Sequence, residues 1–341
     1  MIKISKSLFF NRSNILSGIL LLLVFYGCNS NTKQYNENSN GAITINDFRN
    51  KKIVLAKPAT RIVCLIESAL SGIYMLGAEN DIIGISTNVY DDNVAPQYTA
   101  LDKRIKDKTI PTPGNWDFVN IESVIALKPD LVIMWASQSE SIEALESKGI
   151  PVYAIMLKST EDVYKEIRDF GQITGKVNRA DSLISYTKTE IDKLKKINDS
   201  IKEKKKIYFM WSQGSLETSG KQSTVNELIT MSGAKNVCTS TDEHLVVNLE
   251  KVIEWNPDII VMWNNANKNP EDITQLQEWS SIKAVKENKV FELPSVFFCD
   301  LWTLKFQYAV KLLSTWCNPE LNKNFNLEIE KKQMLKNLYG S

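Results

Sequence analysis

The sequence of 341 residues contains 41 basic side chains, 40 acidic side chains and one histidine, which gives a formal net charge of +1. This balance excludes nucleic acid as an expected partner, because nucleic-acid-binding domains carry a clear excess of basic residues. The single histidine excludes the histidine-rich sites that capture zinc or manganese.

The first 41 residues predict targeting and tethering rather than a folded domain. Basic residues precede an almost wholly apolar run at 15–26, which is typical of a signal peptide spanning 1–27. Cys28 follows directly after Gly27, a pattern that resembles the bacterial lipoprotein signal and makes Cys28 the expected lipidation site. An ordinary cleaved signal peptide is the alternative. The polar segment 28–41 lacks the apolar residues needed for folding and predicts a flexible tether.

The next segment, 42–158, predicts an α/β lobe. β-branched and apolar runs predict strands at 61–66, 81–86, 131–135 and 151–156. Gly77 is expected to end a helix, and Asn120 is expected to cap a short helix that continues to Leu127.

The following segment, 159–206, has the apolar periodicity of helix, with one break expected at Thr174-Gly175. The last segment, 207–341, repeats the α/β scheme. Strands are predicted at 206–211, from 236, at 259–263 and at 289–294, and helices after the cap Ser223 and over 301–317. A helical connector between two lobes predicts modest lobe movement.

One sequence occurs twice in the chain. Residues 118–137 and 246–265 align without a gap, and nine of the twenty positions are identical. From the pattern M-x-G-A-x-N to the N-x-E motif within this repeat there are 45 residues in the first half and 17 in the second. The first half therefore carries 28 extra residues, roughly 87–116, a polar and proline-bearing loop of the kind that is usually functional.

The order and spacing of these pieces resemble a known family. "YMLGAENDIIGIS", "NIESVIALKPDLVIMW", "TVNELITMSGAKNV" and "NLEKVIEWNPDIIVMW" are similar to the substrate-binding proteins of ABC importers for cobalamin, haem and ferric siderophores. The resemblance covers most of the chain beyond residue 61. It implies two Rossmann-like α/β lobes with mainly parallel sheets, joined by a long rigid α-helix, with the ligand in a cleft between the lobes.

The resemblance assigns roles to the residues that match. In the family, one glutamate on each lobe docks arginines of the two permease subunits, and the matching residues are Glu122 and Glu250. The alternative is that these glutamates merely favour a helix N-terminus, a contribution of about 0.3–1 kcal/mol. Aromatic side chains line the family's cleft. The candidate ligand-binding residues here are Tyr90, Trp116, Trp135, Trp211, Trp263 and Trp302.

Several of these candidates have specific reasons. Trp116 and Trp135 match tryptophans of the family's cobalamin-binding member, and Tyr90 lies near the axial tyrosine of haem-binding relatives, which makes it a candidate haem ligand. Trp255, Trp279 and Trp316 are expected in the core. The chain departs from the family at Ser71, where a glutamate is usual. It also departs at Leu245 and Val246, where the cobalamin-binding member has a tryptophan. Both departures weaken an assignment to cobalamin.

The expected function is therefore capture of a cobalt- or iron-containing chelate and delivery to an ABC permease dimer with its ATPase. The protein is expected to be a monomer, lipid-anchored on the periplasmic side of a bacterial membrane, without a cofactor of its own. A sensor or carrier lipoprotein of the same fold is the alternative, and a hydrolytic enzyme is disfavoured because no nucleophile motif is present. His244 is expected to be an ordinary loop residue, with ligation of haem iron as the alternative. The sequence leaves open whether Cys64, Cys238, Cys299 and Cys317 form disulfides.

Overall fold

The computed structural model describes residues 41–264 and 268–340 of the chain. The predicted signal peptide (1–27), the lipidation site Cys28 and nearly all of the tether (28–41) lie outside the described residues. Among the helices of the described ranges, none has the length and apolar character that crossing a bilayer would need.

Strands and helices alternate along the described chain. The strands are β1 (Ile43–Asn46), β2 (Lys52–Leu55), β3 (Ile62–Cys64), β4 (Ile82–Ile85), β5 (Leu131–Trp135), β6 (Val152–Ile155), β7 (Lys206–Met210), β8 (Glu217–Thr218), β9 (Lys235–Asn236), β10 (Leu245–Val246), β11 (Ile259–Met262) and β12 (Val290–Glu292). The α-helices are α1 (Glu67–Met75), α2 (Ala95–Thr99), α3 (Lys103–Lys106), α4 (Ile121–Ala126), α5 (Ser139–Glu146), α6 (Thr160–Ile173), α7 (Val177–Asn198), α8 (Thr224–Met231), α9 (Leu249–Trp255), α10 (Pro270–Thr274), α11 (Lys283–Lys286), α12 (Val296–Cys299), α13 (Phe306–Cys317) and α14 (Leu327–Tyr339). Short 3₁₀ helices occupy Glu79–Asp81, Thr87–Tyr90 and Gln277–Trp279.

Two four-stranded parallel sheets have the same connectivity. The first has the order β4-β3-β5-β6, and the second has the order β9-β7-β11-β12 when listed from the corresponding edge. In both, the strand that comes first in the chain lies second in the sheet, so the order reverses between the first and third strands. Ligands of open α/β sheets bind at such a reversal, outside the carboxyl ends of the strands. The predicted fold of two α/β lobes with mainly parallel sheets is confirmed.

The repeated sequence forms the same helix–strand unit in both lobes. Asn120 caps α4, because its side chain accepts a hydrogen bond from the backbone N–H of Ser123. Asn248 caps α9 by accepting a hydrogen bond from the backbone N–H of Lys251. Both bonds are 2.9 Å long. The helices end before Pro129 and Pro257, and strands β5 and β11 follow. Both strands are almost wholly buried, as their continuous apolar sequences predict.

The helical connector consists of two helices with different partners. Helix α6 covers the first sheet, where the Phe170 ring lies 5.8 Å from that of Tyr153. The predicted break falls at Gly175, whose φ of +70° favours glycine. Helix α7 then runs 22 residues, about 33 Å at 1.5 Å per residue, from the first lobe to the second. At its far end the Asn198 amide donates to the Met231 carbonyl at 3.0 Å. Only α7 therefore joins the lobes as one long helix.

The C-terminal helix α14 returns to the first lobe. The hydroxyls of Tyr339 and Ser71 are hydrogen-bonded at 2.7 Å. Arg179 of α7 donates to the carbonyl of Met75 at 3.1 Å and to those of Asn337 and Leu338 at 2.9 Å. One guanidinium thus binds the carboxyl ends of α1 and α14, where helix carbonyls lack partners. The segment 207–341 is therefore not confined to contacts within the second lobe.

The four cysteines within the described residues are buried free thiols. Burial raises the pKa of Cys64, Cys238 and Cys299, and it raises that of Cys317 to about 12. A buried thiol of this kind behaves as a small apolar side chain with low reactivity. Of the two expectations for these cysteines, packing as free thiols is the one observed.

Candidate functional site

Three tryptophans form one cluster at the carboxyl edge of the second sheet. Trp211 follows β7 and Trp263 follows β11, its neighbour in the sheet, and Trp302 lies in the turn before α13. The ring centroids are 5.5 Å apart for Trp211 and Trp263, 5.7 Å for Trp263 and Trp302, and 6.1 Å for Trp211 and Trp302. All three side chains are half-buried. Trp211 and Trp263 directly follow β7 and β11, the strands between which the order reverses, and open α/β sheets bind ligands at that edge. Ligand contact by Trp211, Trp263 and Trp302 stays a prediction.

His244 extends this cluster. Its ring lies parallel to that of Trp211, with 5.7 Å between centroids, and its Nε2 is 2.5 Å from the Glu217 carboxylate. The β8–β10 pair brings the two residues together, because Thr218 is opposite Leu245. The Trp211 indole N–H is bound to the Ser219 hydroxyl at 2.8 Å, which fixes the ring. His244 lies in an exposed loop directly before β10, as predicted, but its stacking on Trp211 was not expected. No local motif predicts its contact, since strands of two residues give almost no periodicity.

Trp116 and Trp135 lie at the carboxyl edge of the first sheet. Trp135 is the last residue of β5 and packs half-buried against the core. Trp116 is 60 % exposed. Its loop is held by Asn115, whose amide donates to the Thr87 hydroxyl at 2.9 Å and whose carbonyl accepts from the Gln138 side chain at 3.0 Å. Within the described residues, ring contacts join the three second-lobe tryptophans with one another but not with these two. Their ligand contact stays a prediction.

The hydroxyl of Tyr90 is already engaged. It donates to the Ile110 carbonyl at 2.9 Å and accepts from the Ile110 N–H at 3.2 Å. Burial raises the pKa of Tyr90. Iron binds a tyrosine as its phenolate, so ligation by Tyr90 would require the hydroxyl to lose its proton and the bond that it donates to the Ile110 carbonyl. Within the described residues, no group of three His, Cys, Asp or Glu side chains is arranged to hold a metal ion.

The 28-residue insertion of the first half contains a 3₁₀ helix, α2 and α3, and it reaches the second lobe. The Gln97 amide lies 3.4 Å from the Ser295 hydroxyl, and the Tyr98 ring lies edge-on to Phe297 with 5.8 Å between centroids. Tyr98 also donates its hydroxyl to the Glu67 carboxylate. The insertion therefore forms part of the contact between the lobes.

Two charged side chains, Asp300 and Lys305, are buried next to this contact and flank Trp302 in the chain. Asp300 accepts from the backbone N–H of Trp302 at 2.9 Å, and the ammonium of Lys305 lies 4.9 Å from the centre of the Phe297 ring. The pKa of the Asp300 carboxyl is raised to about 7, chiefly by burial. The positive charge of Lys305 partly opposes this rise, and Glu67 adds to it. A buried carboxyl with such a pKa gains its proton readily near neutral pH.

Glu122 and Glu250 occupy equivalent exposed positions. Each lies in the first turn of its helix, next to the capping asparagine. Across residues 41–264 and 268–340, neither carboxylate forms an ion pair within the chain. Both are thus available to an external cation, and their docking role stays a prediction.

Comparison with known proteins supports a common origin over most of the chain. The model of a family described as "Periplasmic binding protein" matches residues 62–297. The uncharacterized ABC transporter substrate-binding lipoprotein YvrC of Bacillus subtilis is 26 % identical over 296 residues, 83 % of this chain and 90 % of YvrC. The vitamin B12-binding protein of Vibrio campbellii is 24 % identical over 242 residues, 70 % of this chain and 82 % of the relative.

A third relative has a solved structure. The molybdate-binding protein MolA of Haemophilus influenzae is 25 % identical over 320 residues, 86 % of this chain and 89 % of MolA. The structure of MolA bound to molybdate superposes with a TM-score of 0.76, covers 87 % of this chain and 98 % of MolA, and is 23 % identical in the aligned part. This likeness supports the two-lobed fold.

Proposed function

This chain belongs to the periplasmic binding protein family, and on that premise we propose that it captures a metal chelate between its lobes and delivers it to an ABC importer. The observation that carries the proposal is the cluster of Trp211, Trp263 and Trp302 with His244 stacked beside it. Such rings bury about 150–250 Å² each and lose little rotamer entropy, which suits a large flat ligand. The function is binding and release, without a catalytic step.

The composition of the second lobe indicates which kind of chelate it would bind. Residues 207–341 contain no arginine. In the described part of the chain, the Trp211 side chain is hydrogen-bonded to Ser219 and has ring contacts with His244 and other aromatic side chains. A strongly anionic chelate would be held best by bidentate guanidinium groups. We therefore favour a chelate of low negative charge with large apolar faces. Cobalamin is the first of the three chelates to test, although Leu245 and Val246 replace the tryptophan of the cobalamin-binding member.

An oxyanion is the second candidate, because the relative MolA is named for molybdate and matches most of the chain. A bare oxyanion is held by hydrogen-bond donors rather than by ring faces. The two candidates therefore predict opposite effects when a ring of the cluster is removed.

Titration distinguishes the candidates. The protein is titrated with cyanocobalamin, haemin, a ferric siderophore and molybdate, and tryptophan fluorescence and the visible spectrum are followed. Trp302→Ala should weaken binding of the chelate by about 10- to 100-fold, corresponding to about 1.4–2.8 kcal/mol. Trp316→Ala is the matched control, because Trp316 is also half-buried but stacks on Phe291 outside the cluster. Saturable binding of molybdate alone, unaffected by Trp302→Ala, would exclude the chelate.

Docking to an importer is tested separately. Glu122→Lys combined with Glu250→Lys should abolish uptake of the bound chelate while its dissociation constant stays unchanged, because paired carboxylates would meet cationic groups of a twofold-related permease. Glu140→Lys is the control, since Glu140 is also an exposed acid in a first helical turn, that of α5, but has no repeated counterpart. Normal uptake by the double variant would favour a sensor or carrier lipoprotein.

We also propose that a lipid at Cys28 holds the protein, as a monomer, on the periplasmic side of the membrane. A multiply acylated cysteine anchors firmly because each buried methylene contributes about 0.8 kcal/mol. Metabolic labelling with a radioactive fatty acid should mark the wild type and not Cys28→Ser. A labelled Cys28→Ser variant would contradict the assignment.

A further inference from the structure

Two exposed apolar side chains occupy the same place in the two copies of the repeat. Phe118 begins the first copy and is 61 % exposed, and Val246 begins the second copy and is 69 % exposed. Each precedes its glutamate, Glu122 or Glu250, by four residues, a span of at most about 14 Å along the chain. Chance exposure of single apolar residues is common on protein surfaces. Exposure at both copies of one position, each time beside an unpaired carboxylate, points to a shared use.

The local structure fixes these side chains outward. In the first copy Val119 and Val124 are buried in one apolar cluster, so they hold the start of α4 from the inside. In the second copy Val252 is buried and Val247 packs half-buried against the same cluster. In each copy, one of these valines lies just before the capping asparagine and the other lies in the helix. An apolar pair at these two positions sets the direction in which the chain enters the helix. Because Val119 and Val247 point inward, the preceding residues Phe118 and Val246 point outward in both copies.

The exposed pattern therefore repeats residue by residue. Positions 118, 120, 122 and 123 are exposed and 124 is buried, and the equivalent positions 246, 248, 250, 251 and 252 follow the same sequence. Ile253, one turn beyond Glu250, is a further exposed apolar residue at 38 %. The molecule thus carries two similar small surfaces, each with an apolar side chain on one side of a carboxylate.

We propose that Phe118 and Val246 are paired apolar contacts of the face that docks on the importer, a proposal that rests on the proposed function. The partner is a twofold-related membrane permease that presents, once per subunit, a basic side chain beside an apolar recess. The carboxylates would govern encounter and orientation, because exposed charge pairs act mainly on the association rate. The apolar contacts would govern the lifetime of the complex, because desolvated side chains dominate the dissociation rate.

Photo-crosslinking tests the surface in intact cells. A photoreactive phenylalanine analogue is introduced singly at 118, 246, 122, 250 and, as control, at 329, where Ile329 is 62 % exposed on α14 away from the repeat. Products are identified by mass spectrometry. We expect positions 118 and 246 to capture the same permease polypeptide and position 329 to capture none. Crosslinks from 122 and 250 alone would overturn this proposal and leave the proposed function standing. Capture of a second copy of this chain from 118 and 246 would also overturn it.

Variants give the quantitative counterpart. The permease identified by crosslinking is purified with its ATPase in lipid nanodiscs. The double variant Phe118→Ser with Val246→Ser should bind this permease about tenfold more weakly, through faster dissociation. Ile329→Ser should leave it unchanged, and all proteins should keep the same dissociation constant for cyanocobalamin or whichever chelate saturates the wild type. An unchanged dissociation rate would overturn the proposal. No binding of permease by the wild type would remove the importer function itself.

Discussion

Replacing Arg179 by methionine tests how the C-terminal helix is held against the first lobe. Methionine keeps most of the aliphatic stem but removes the guanidinium, which donates to Met75, Asn337 and Leu338. The residues Met75 and Leu338 are buried, so water can replace the lost donors only in part. Each of the two under-satisfied carbonyls should cost about 1 kcal/mol. Loss of the positive charge near two helix C-termini should cost about 0.5 kcal/mol for each helix. The free energy of unfolding should therefore fall by about 3 kcal/mol.

The assay is urea unfolding followed by circular dichroism and tryptophan fluorescence. Arg168→Met is the control and should change stability by less than about 0.5 kcal/mol. Among the residues that the structure describes, the one ion-pair partner of the Arg168 guanidinium is the exposed Glu161, at 3.9 Å. Hydrogen exchange should accelerate in residues 327–339 of the Arg179 variant. A loss below about 0.5 kcal/mol, or an equal loss in both variants, would refute the assigned role of Arg179.

Two further predictions concern the cleft. Burial raises the pKa of Asp300 to about 7, above the unfolded value of about 3.9, so its contribution to stability is complete below about pH 4 and is lost as the pH rises through 7. The free energy of unfolding of the wild type should therefore fall relative to that of Asp300→Asn between pH 4 and 7.5, and parallel urea-midpoint profiles would contradict this. Gly220→Ala should weaken binding of the proposed chelate about tenfold without unfolding the protein. The new methyl group would overlap the carbonyls of Ser240 and Asp242, and this overlap would displace the loop that carries His244. Gly214→Ala is the control, since its methyl group would meet only the Glu217 side chain at 3.6 Å, and equal binding by both variants would count against this role of the loop.

Local signals in the sequence predicted the repeated units closely. These signals act over a few residues, so distant contacts have little effect on the elements that they predict. They are the caps Asn120 and Asn248, the helix stops Pro129 and Pro257, and the apolar strand sequences. Gly77 ends α1 with a φ of +69°, as its position predicted. The apolar strand sequences also predicted that Trp211 and Trp263 follow β7 and β11, but they did not predict that Trp302 would pack against both.

Features that depend on distant contacts were predicted less well. The helix expected over 301–317 begins at Phe306, because Asp300 and Thr303 bind backbone N–H groups of the preceding turn. The insertion was expected to be a polar, proline-bearing loop, yet it contains short helices that are stabilised by packing such as that of Tyr98 on Phe297. His244 joined the cluster through a short strand pair without a periodic signal.

The return of α14 to the first lobe also bears on the order of folding. Synthesis begins at the N-terminus, so β3 and α1 leave the ribosome long before residues 327–339. Until α14 has been made, Arg179 and Ser71 lack their partners on that helix. The lobe that is synthesised first is therefore completed by the last helix of the described chain.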